Sequence, residues 1–236
     1  MINALDQVTV AGSDRVYETL LGRRLQDGCV RTGNVAIGFS ADGGPLASMT
    51  FATADLEKAA RLLERRGVPT TKDEALKLSN AATHGVAIAL VERHGKPAPS
   101  PATVDDASAI ADLDHVVIRT PNPERAVAFY AGRLGLDLRL DRSNPEWGSR
   151  LLFFRCGDLV VEVAHDLKKG VSDGPDHLWG LSWRASDIAK AHARLKGANV
   201  DVSPVRTGRR PGTEVFSVNS HTEGVPTIVI GGLKHW

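Results

Sequence analysis

The side chains best suited to chemistry in this 236-residue chain are those of His115 and Glu162. They occupy an early slot and a late slot in a pattern that the sequence repeats four times. In each copy the early slot lies in a short apolar strand, seven residues before an Asp or Asn, and the late slot follows the glycine of a later strand by five residues. An imidazole and a carboxylate suit Fe(II), Mn(II), Ni(II) or Zn(II), without selecting one of them. The two residues therefore predict either a divalent-metal site or a plain hydrogen-bonded pair.

Only the third copy has potential metal ligands in both slots. The early slots of the other copies hold Gln7, Ser48 and Gly180, and their late slots hold Gly38, Leu90 and Val229. Catalytic metals usually have about three protein ligands, so His115 and Glu162 alone leave a metal site incomplete. The other candidates for a third ligand lie outside the predicted slots, and they are His177, His221 and Glu223.

The elements around these slots follow from a change of hydrophobic period. The segment LDHVVIRT alternates, which places His115 and Arg119 on one face of a strand. The segment PERAVAFYAGRL then has its apolar residues at helical spacing, with Asn122 as the N-cap. The corresponding residues predicted to cap the other three helices are Asp14, Asp55 and Asp187. Each copy is therefore a βαβββ module, whose helix covers one face of the sheet and leaves the other face to line a cavity.

The same alternation applies to the fourth copy, in the segment LWGLSWRA. It predicts that Gly180, Ser182 and Arg184 face the cavity, and that the core side holds Trp179, Leu181 and Trp183. Arg119 and Arg184 stand at matching positions, each four residues after an early slot. They either clamp an anionic substrate or lie exposed at strand ends, and the sequence leaves both interpretations open.

The bulk composition is that of an ordinary globular protein. Hydrophobic residues make up 42% and charged residues 24%, and the net charge of +1 gives no reason to expect nucleic acid or a membrane as partner. Cys29 and Cys156 are too few for a disulfide framework, and MINALDQVTV lacks the pattern of a signal peptide. We therefore expect a cytoplasmic protein. A small-molecule substrate is its expected partner, and the sequence leaves a homodimer open.

A proline-rich segment divides the four copies into two pairs. Residues 93–111 contain three prolines among small and polar residues, which is typical of an extended linker. The sequence thus predicts an N-terminal pair over 1–92, with modules 1–45 and 46–92. It predicts a C-terminal pair over 112–236, with modules 112–175 and 176–236, and this pair carries the candidate site.

The third copy resembles a known superfamily. LDHVVIRTPNPERAVAFYAGRLGL followed by GDLVVEVA is similar to the vicinal oxygen chelate superfamily, which includes glyoxalase I, extradiol ring-cleaving dioxygenases, methylmalonyl-CoA epimerase and bleomycin-binding proteins. The resemblance implies an α+β fold. Four βαβββ modules would form two paired-module glyoxalase-like domains, each a curved mixed sheet with its helices outside.

The resemblance also implies a function. It makes His115 and Glu162 metal ligands, Glu162 a catalytic residue, and Arg119 and Arg184 the residues that orient the substrate. Fe(II) or Mn(II) is the favoured metal, with Ni(II) or Zn(II) as alternatives. The implied activity is that of a ring-cleaving dioxygenase acting on a small oxygenated molecule. A glyoxalase-like lyase or isomerase, and a drug-sequestering protein that binds no metal, stay open as alternatives.

Overall fold

A computed structural model describes residues 2–41 and 43–232 of the chain. Residues 1, 42 and 233–236 lie outside the described residues, and the last four of these belong to the predicted fourth module. Within the described part, the helices and strands form two mixed β-sheets with 7 and 8 strands. This arrangement confirms the predicted α+β fold class.

The 7-stranded sheet is formed by the first two copies of the pattern. Their elements are β1 (Ile2–Ala11), α1 (Asp14–Leu21), β2 (Cys29–Arg31), β3 (Ala36–Ser40), β4 (Leu46–Thr53), α2 (Leu56–Arg65), β5 (Thr70–Lys72), β6 (Leu76–Leu78) and β7 (Ile88–Glu92). The strand order is β2-β3-β1-β4-β7-β6-β5. In its described residues the first copy is βαββ, one strand short of the predicted module, whereas the second copy is βαβββ.

The 8-stranded sheet is formed by the third and fourth copies. Their elements are β8 (Ile110–Arg119), α3 (Pro123–Val127), a π-helical segment (Ala128–Arg133), β9 (Asp137–Asn144), β10 (Ser149–Cys156), β11 (Leu159–Asp166), β12 (His177–Ala185), α4 (Ile188–Gly197), β13 (Arg206–Thr207), β14 (Glu214–Val218) and β15 (Thr227–Gly231). The strand order is β13-β14-β15-β12-β8-β11-β10-β9. Both copies have the predicted βαβββ order.

The chain also divides into two compact units, each assembled from separate stretches of sequence. Unit 1 contains the chain up to Asp6, Ser48–Lys96 and Val116–Trp179. Unit 2 contains Gln7–Ala47, Pro97–His115 and the chain from Gly180 onward. The boundaries proposed from the sequence, at 1–92, 93–111 and 112–236, stay a prediction.

The proline-rich segment is fixed to unit 2 by specific contacts. Arg23 is buried, and its guanidinium donates to the carbonyl oxygens of Ser100 and Ile110, both at 3.0 Å. Ser100 is itself 2% exposed, and its hydroxyl accepts from the backbone N–H of Arg31 at 3.0 Å. Strand β8 begins at Ile110, inside the predicted linker. The segment therefore packs as part of a unit, because a buried arginine supplies the hydrogen bonds that its carbonyl groups need.

Three of the four predicted helix caps are confirmed. Asp55, Asn122 and Asp187 each accept a hydrogen bond from the backbone N–H three residues later, at 2.7, 3.1 and 3.0 Å. The prediction for Asp14 is wrong, because Asp14 is the first residue inside α1 and Ser13 is the N-cap. Ser13 makes no capping hydrogen bond with its side chain, and its own N–H donates to Oε1 of Glu223 at 3.2 Å.

Helix α1 is held at its other end as well. The guanidinium of Arg194, from α4, donates to the carbonyl oxygens of Thr19 and Leu20 at 2.6 and 2.8 Å. Its Nε donates to the carbonyl oxygen of Ser108 at 3.0 Å. Burial lowers the pKa of this guanidinium to about 10. Cationic side chains at a helix C-terminus satisfy its last carbonyl groups and interact favourably with its dipole.

We expect Glu223→Ala to lower the free energy of unfolding by about 1 kcal/mol, because an acceptor for an N-terminal N–H and a negative charge near the helix start are lost together. Urea unfolding followed by circular dichroism measures the change. Glu146→Ala is the control, since Glu146 is an exposed glutamate outside any helix and should change stability by less than about 0.5 kcal/mol. Equal stability of the two variants would contradict a capping role.

Candidate functional site

His115 belongs to a hydrogen-bonded group of three side chains in unit 2. Its Nδ1 is 2.8 Å from Oδ2 of Asp114, and Nε of Arg184 donates to Oδ1 of the same carboxylate at 2.8 Å. The side chains of Asp114 and Arg184 are 5% and 8% exposed, and that of His115 is 15% exposed. Arg184 is therefore buried, and its interpretation as an exposed strand-end residue is wrong. Its predicted contact with substrate stays a prediction.

The charge state of Asp114 determines which nitrogen of His115 carries the proton. Burial alone would raise the pKa of Asp114, but the hydrogen bonds and charges of His115 and Arg184 outweigh burial and lower the pKa to about 2. The carboxylate is therefore ionised at neutral pH and can only accept hydrogen bonds. The proton of a neutral His115 ring must then sit on Nδ1, which places the ring's lone pair on Nε2.

Asp114 should contribute stability that depends on pH. Its folded-state pKa of about 2 lies below the ordinary value of 3.8, so the contribution is complete above about pH 4 and is lost as pH falls toward 2. The difference corresponds to about 2 kcal/mol. Urea unfolding of wild type and Asp114→Asn should show a stability gap at pH 6 that narrows by pH 2.5. The exposed Asp106→Asn should show no such gap, and a gap independent of pH would contradict the assignment.

The early and late slots meet as predicted in the first copy. Strands β1 and β3 are parallel with Thr9 opposite Gly38, and a Cβ built on Gly38 would collide with the side chain of Gln7. The slots hold an amide and a glycine, so this contact confirms the geometry of the pattern without supplying a metal ligand. Here the two slots lie side by side on one face.

The late slots of the second and fourth copies were assigned wrongly by one residue. Val229 pairs with Trp183 and Leu90 pairs with Phe51, and all four side chains are fully buried in the core. The residues that share the face of the early slots are Ile228, opposite Ser182, and Ala89, opposite Thr50. A one-residue difference in the spacing from the glycine moves a side chain to the opposite face. Neither Ile228 nor Ala89 can coordinate a metal, so the shortage of ligands in these copies persists.

Glu162 lies on the less buried face of the sheet in unit 1. Phe153 of β10 is its cross-strand partner, and Leu140 of β9 is the next residue in the same row. All three are partly or fully exposed, whereas Val161 and Val163 on either side of Glu162 are fully buried. This confirms that Glu162 points away from the core. The next row of the same face contains Arg142, Leu151 and Ala164, so the carboxylate stands on a largely apolar surface.

Arg119 ends β8 and forms a cation–π contact in unit 1. Its guanidinium lies 4.3 Å from the centre of the Trp179 ring. The prediction that Trp179 belongs to the core is wrong, since 40% of it is exposed, while Leu181 and Trp183 are buried as predicted. Trp179 lies near the start of β12, where its ring packs against the guanidinium of Arg119 and not in the core.

The described residues do not fit a metal centre with three protein ligands. Among residues 2–41 and 43–232, no three His, Cys, Asp or Glu side chains lie together in a group that could hold a metal ion. The candidates for a third ligand are engaged or exposed: His177 and His221 are exposed, and Glu223 accepts from the N-cap of α1. One feature does match metal sites, because metal-binding histidines usually donate their second ring N–H to a carboxylate. His115 and Glu162 belong to different units, and their pairing in one site stays a prediction.

Asp114 is the residue that the sequence analysis missed. A signal was present, because Asp114 interrupts the apolar segment LDHVVI and directly precedes His115. A carboxylate in a buried strand requires hydrogen-bond partners or a counter-charge. The residue that supplies the charge, Arg184, lies 70 positions away in sequence, and no local pattern connects the two.

Comparisons with known proteins agree with the fold. Residues 112–218 match the family model described as Glyoxalase/Bleomycin resistance protein/Dioxygenase superfamily. The match confirms the resemblance seen in the sequence over residues 112–218. The ethylmalonyl-CoA/methylmalonyl-CoA epimerase of Cereibacter sphaeroides is 28% identical over 103 residues, which cover 39% of this chain and 75% of the epimerase.

Solved structures resemble the chain over its whole length. One is BphC, a halotolerant catechol dioxygenase, with a TM-score of 0.73, 13% identity, and coverage of 100% of this chain and 88% of that one. Another is the Mn(II)-bound glyoxalase from Novosphingobium aromaticivorans, with a TM-score of 0.72, 13% identity, and coverage of 99% and 83%. At this identity the likeness shows the fold.

None of the helices in residues 2–41 and 43–232 is long and apolar enough to cross a membrane.

Proposed function

We propose that this protein is an enzyme that moves a proton next to a carbonyl group of a small oxygenated molecule, in the manner of an isomerase or lyase of its superfamily. The observation that carries the proposal is the hydrogen bond between Nδ1 of His115 and the buried carboxylate of Asp114. It places the lone pair of the neutral ring on Nε2, and it stabilises the imidazolium that forms when this nitrogen accepts a proton. Both properties are those of a catalytic base.

The proton transfer can be written with its electrons balanced. A substrate C–H bond breaks, its proton goes to Nε2 of His115, and its electron pair moves into the adjacent carbonyl group as an enolate. Returning the proton to the same carbon from the opposite side would invert its configuration. The sequence predicts Glu162 as a metal ligand or proton acceptor. The ethylmalonyl-CoA/methylmalonyl-CoA epimerase that resembles part of this chain supports this reaction type. Epimerisation of these CoA thioesters requires the removal and return of one proton.

The exposed surfaces of unit 1 support an apolar and negatively charged substrate. The face that contains Glu162 also presents Phe153 and Leu140, with Arg142 in the next row. Arg119, which the sequence predicts to orient the substrate, is held over Trp179 in the same unit. An aliphatic or aromatic body can pack on the apolar side chains, while an arginine pairs with a carboxylate or phenolate.

A ring-cleaving dioxygenase is the second candidate. It is favoured by the similarity of the whole four-copy chain to a catechol dioxygenase structure with a TM-score of 0.73. This function needs a metal ion, which the resemblance predicts at His115 and Glu162, and a bound Fe(II) or Mn(II) would act as a Lewis acid on a catecholate. The described side chains supply fewer ligands than such a centre usually has, so we place this function second.

The test compares proton exchange with dioxygen consumption. Protein purified without chelator is incubated in D₂O with methylmalonyl-CoA or ethylmalonyl-CoA, and deuterium at the carbon between the carbonyl groups is measured by mass spectrometry. Parallel samples are first treated with EDTA or loaded with Fe(II) or Mn(II), and catechol is tested with an oxygen electrode. Exchange that requires His115 supports the first function. Dioxygen uptake without exchange supports the second, and the absence of both activities in every metal state would refute an enzyme acting on these substrate classes.

A further inference from the structure

An apolar residue could fill the position of Asp114 if the role of this residue were only structural. The side chain of Asp114 is 5% exposed, and two other residues of the same strand, Leu113 and Val116, are fully buried. Burying a charged pair costs desolvation free energy, and buried pairs can often be replaced by apolar residues without loss of stability. The polar arrangement therefore calls for an explanation beyond folding.

The geometry of the carboxylate supplies that explanation. One oxygen accepts from Nε of Arg184 and the other from Nδ1 of His115, both at 2.8 Å. The guanidinium comes from β12 and the carboxylate from β8, which are neighbouring strands of one sheet. A planar guanidinium fixes the carboxylate that it contacts more tightly than a rotating ammonium group would. The orientation of the carboxylate in turn fixes the imidazole.

We propose that the buried Asp114–Arg184 ion pair is a positioning device that holds the His115 ring in one orientation and keeps its proton on Nδ1. Arg184 then acts through Asp114 rather than by touching the substrate. The effect of the pair on activity rests on the proposed function of His115, whereas the orientation and tautomer of the ring do not.

A single substitution separates positioning from packing. In Asp114→Asn the volume is unchanged, but only one side-chain atom can accept. Nε of Arg184 requires an acceptor, so the amide oxygen should turn toward Arg184 and the amide NH₂ toward His115. Nδ1 of His115 must then accept, and the proton moves to Nε2. An imidazole held in the wrong tautomer cannot act as a base through Nε2, and we expect kcat to fall about 100-fold or more with little change in KM.

The measurement is a long-range ¹H–¹⁵N NMR spectrum of protein labelled with ¹⁵N-histidine, recorded at neutral pH. The chain has 8 histidines, and the His115 signals are identified by their absence in His115→Ala. Wild type should show the proton on Nδ1, and Asp114→Asn should show it on Nε2. Asp114→Glu retains a carboxylate and should keep the wild-type tautomer, while the exposed Asp106→Asn should leave the His115 signals unchanged.

The outcomes distinguish the two proposals. A wild-type ring protonated on Nε2, or an Asp114→Asn ring that keeps its proton on Nδ1, would overturn the positioning role. The first of these observations needs only wild type and His115→Ala, so the inference can be refuted even if Asp114→Asn does not fold. A reversed tautomer with unchanged proton exchange would support the positioning role and refute the catalytic role of His115.

Discussion

His115→Ala should lose at least about 100-fold in kcat/KM for proton exchange, because a positioned general base contributes about 10²–10⁴-fold to the rate. The variant should still fold. It removes one hydrogen-bond partner of Asp114 and leaves Arg184 in place, so the free energy of unfolding should fall by about 1–3 kcal/mol. Deuterium incorporation and urea unfolding measure the two quantities on the same preparation.

The control for this substitution is His177→Ala, since His177 is an exposed histidine at the start of β12. It should retain wild-type exchange. Metal content measured on the same samples tests the dioxygenase alternative, which expects about one equivalent in wild type and loss of that metal in His115→Ala. Full activity and full metal content in His115→Ala would show that neither function uses this residue.

Asp176→Ala should cause the largest loss of stability, on the order of 3–5 kcal/mol, because it leaves the mostly buried guanidinium of Arg125 without its counter-charge. In unit 1, Oδ1 of Asp176 accepts from Arg125 at 2.7 Å and from the Thr120 hydroxyl at 2.6 Å. The Asp176 side chain is 1% exposed and that of Arg125 is 16% exposed. Chemical unfolding at neutral pH measures the change.

Asp173→Ala is the matched control for Asp176→Ala. Asp173 lies three residues earlier in the same irregular segment and is exposed, so its substitution should change stability by less than about 0.5 kcal/mol. Replacing Asp176 and Arg125 together by apolar residues should recover part of the loss, because no unpaired charge remains. Similar stability of Asp173→Ala and Asp176→Ala would contradict a buried ion pair at this position.

The parts of the fold that depend on local periodicity could be predicted from the sequence. The strand pattern of LDHVVIRT places Val116 and Ile118 in the core and leaves His115 and Arg119 less buried, as found. The helical spacing of PERAVAFYAGRL also holds, with Phe129 fully buried. Even so, the helix changes to π geometry from Ala128 to Arg133. Alternation and helical period are properties of a single segment, so no distant contact is needed to predict them.

The parts that depend on distant partners could not be predicted. The late slots in the second and fourth copies were misplaced by one residue, because strand register is set by pairing with β4 and β12 rather than by distance from a glycine. Asp114 was overlooked because its cation, Arg184, comes from another strand. Trp179 was assigned to the core because the sequence does not show its contact with Arg119, which comes from another strand. Each error concerns a contact between residues far apart in the chain.

The attachment of helix α1 has a consequence for biosynthesis. The N–H of Ser13 before its first turn and the carbonyl groups of its last turn find their partners in Glu223 and Arg194, which the ribosome adds 210, 175 and 174 residues after Ser13, Thr19 and Leu20. Helix α1 is thus completed only when the fourth copy of the pattern has been translated. Until then its ends fray in water, since short isolated helices are marginally stable. Nascent chains that stop before residue 194 should accordingly depend on chaperones, although their first module is already fully synthesised.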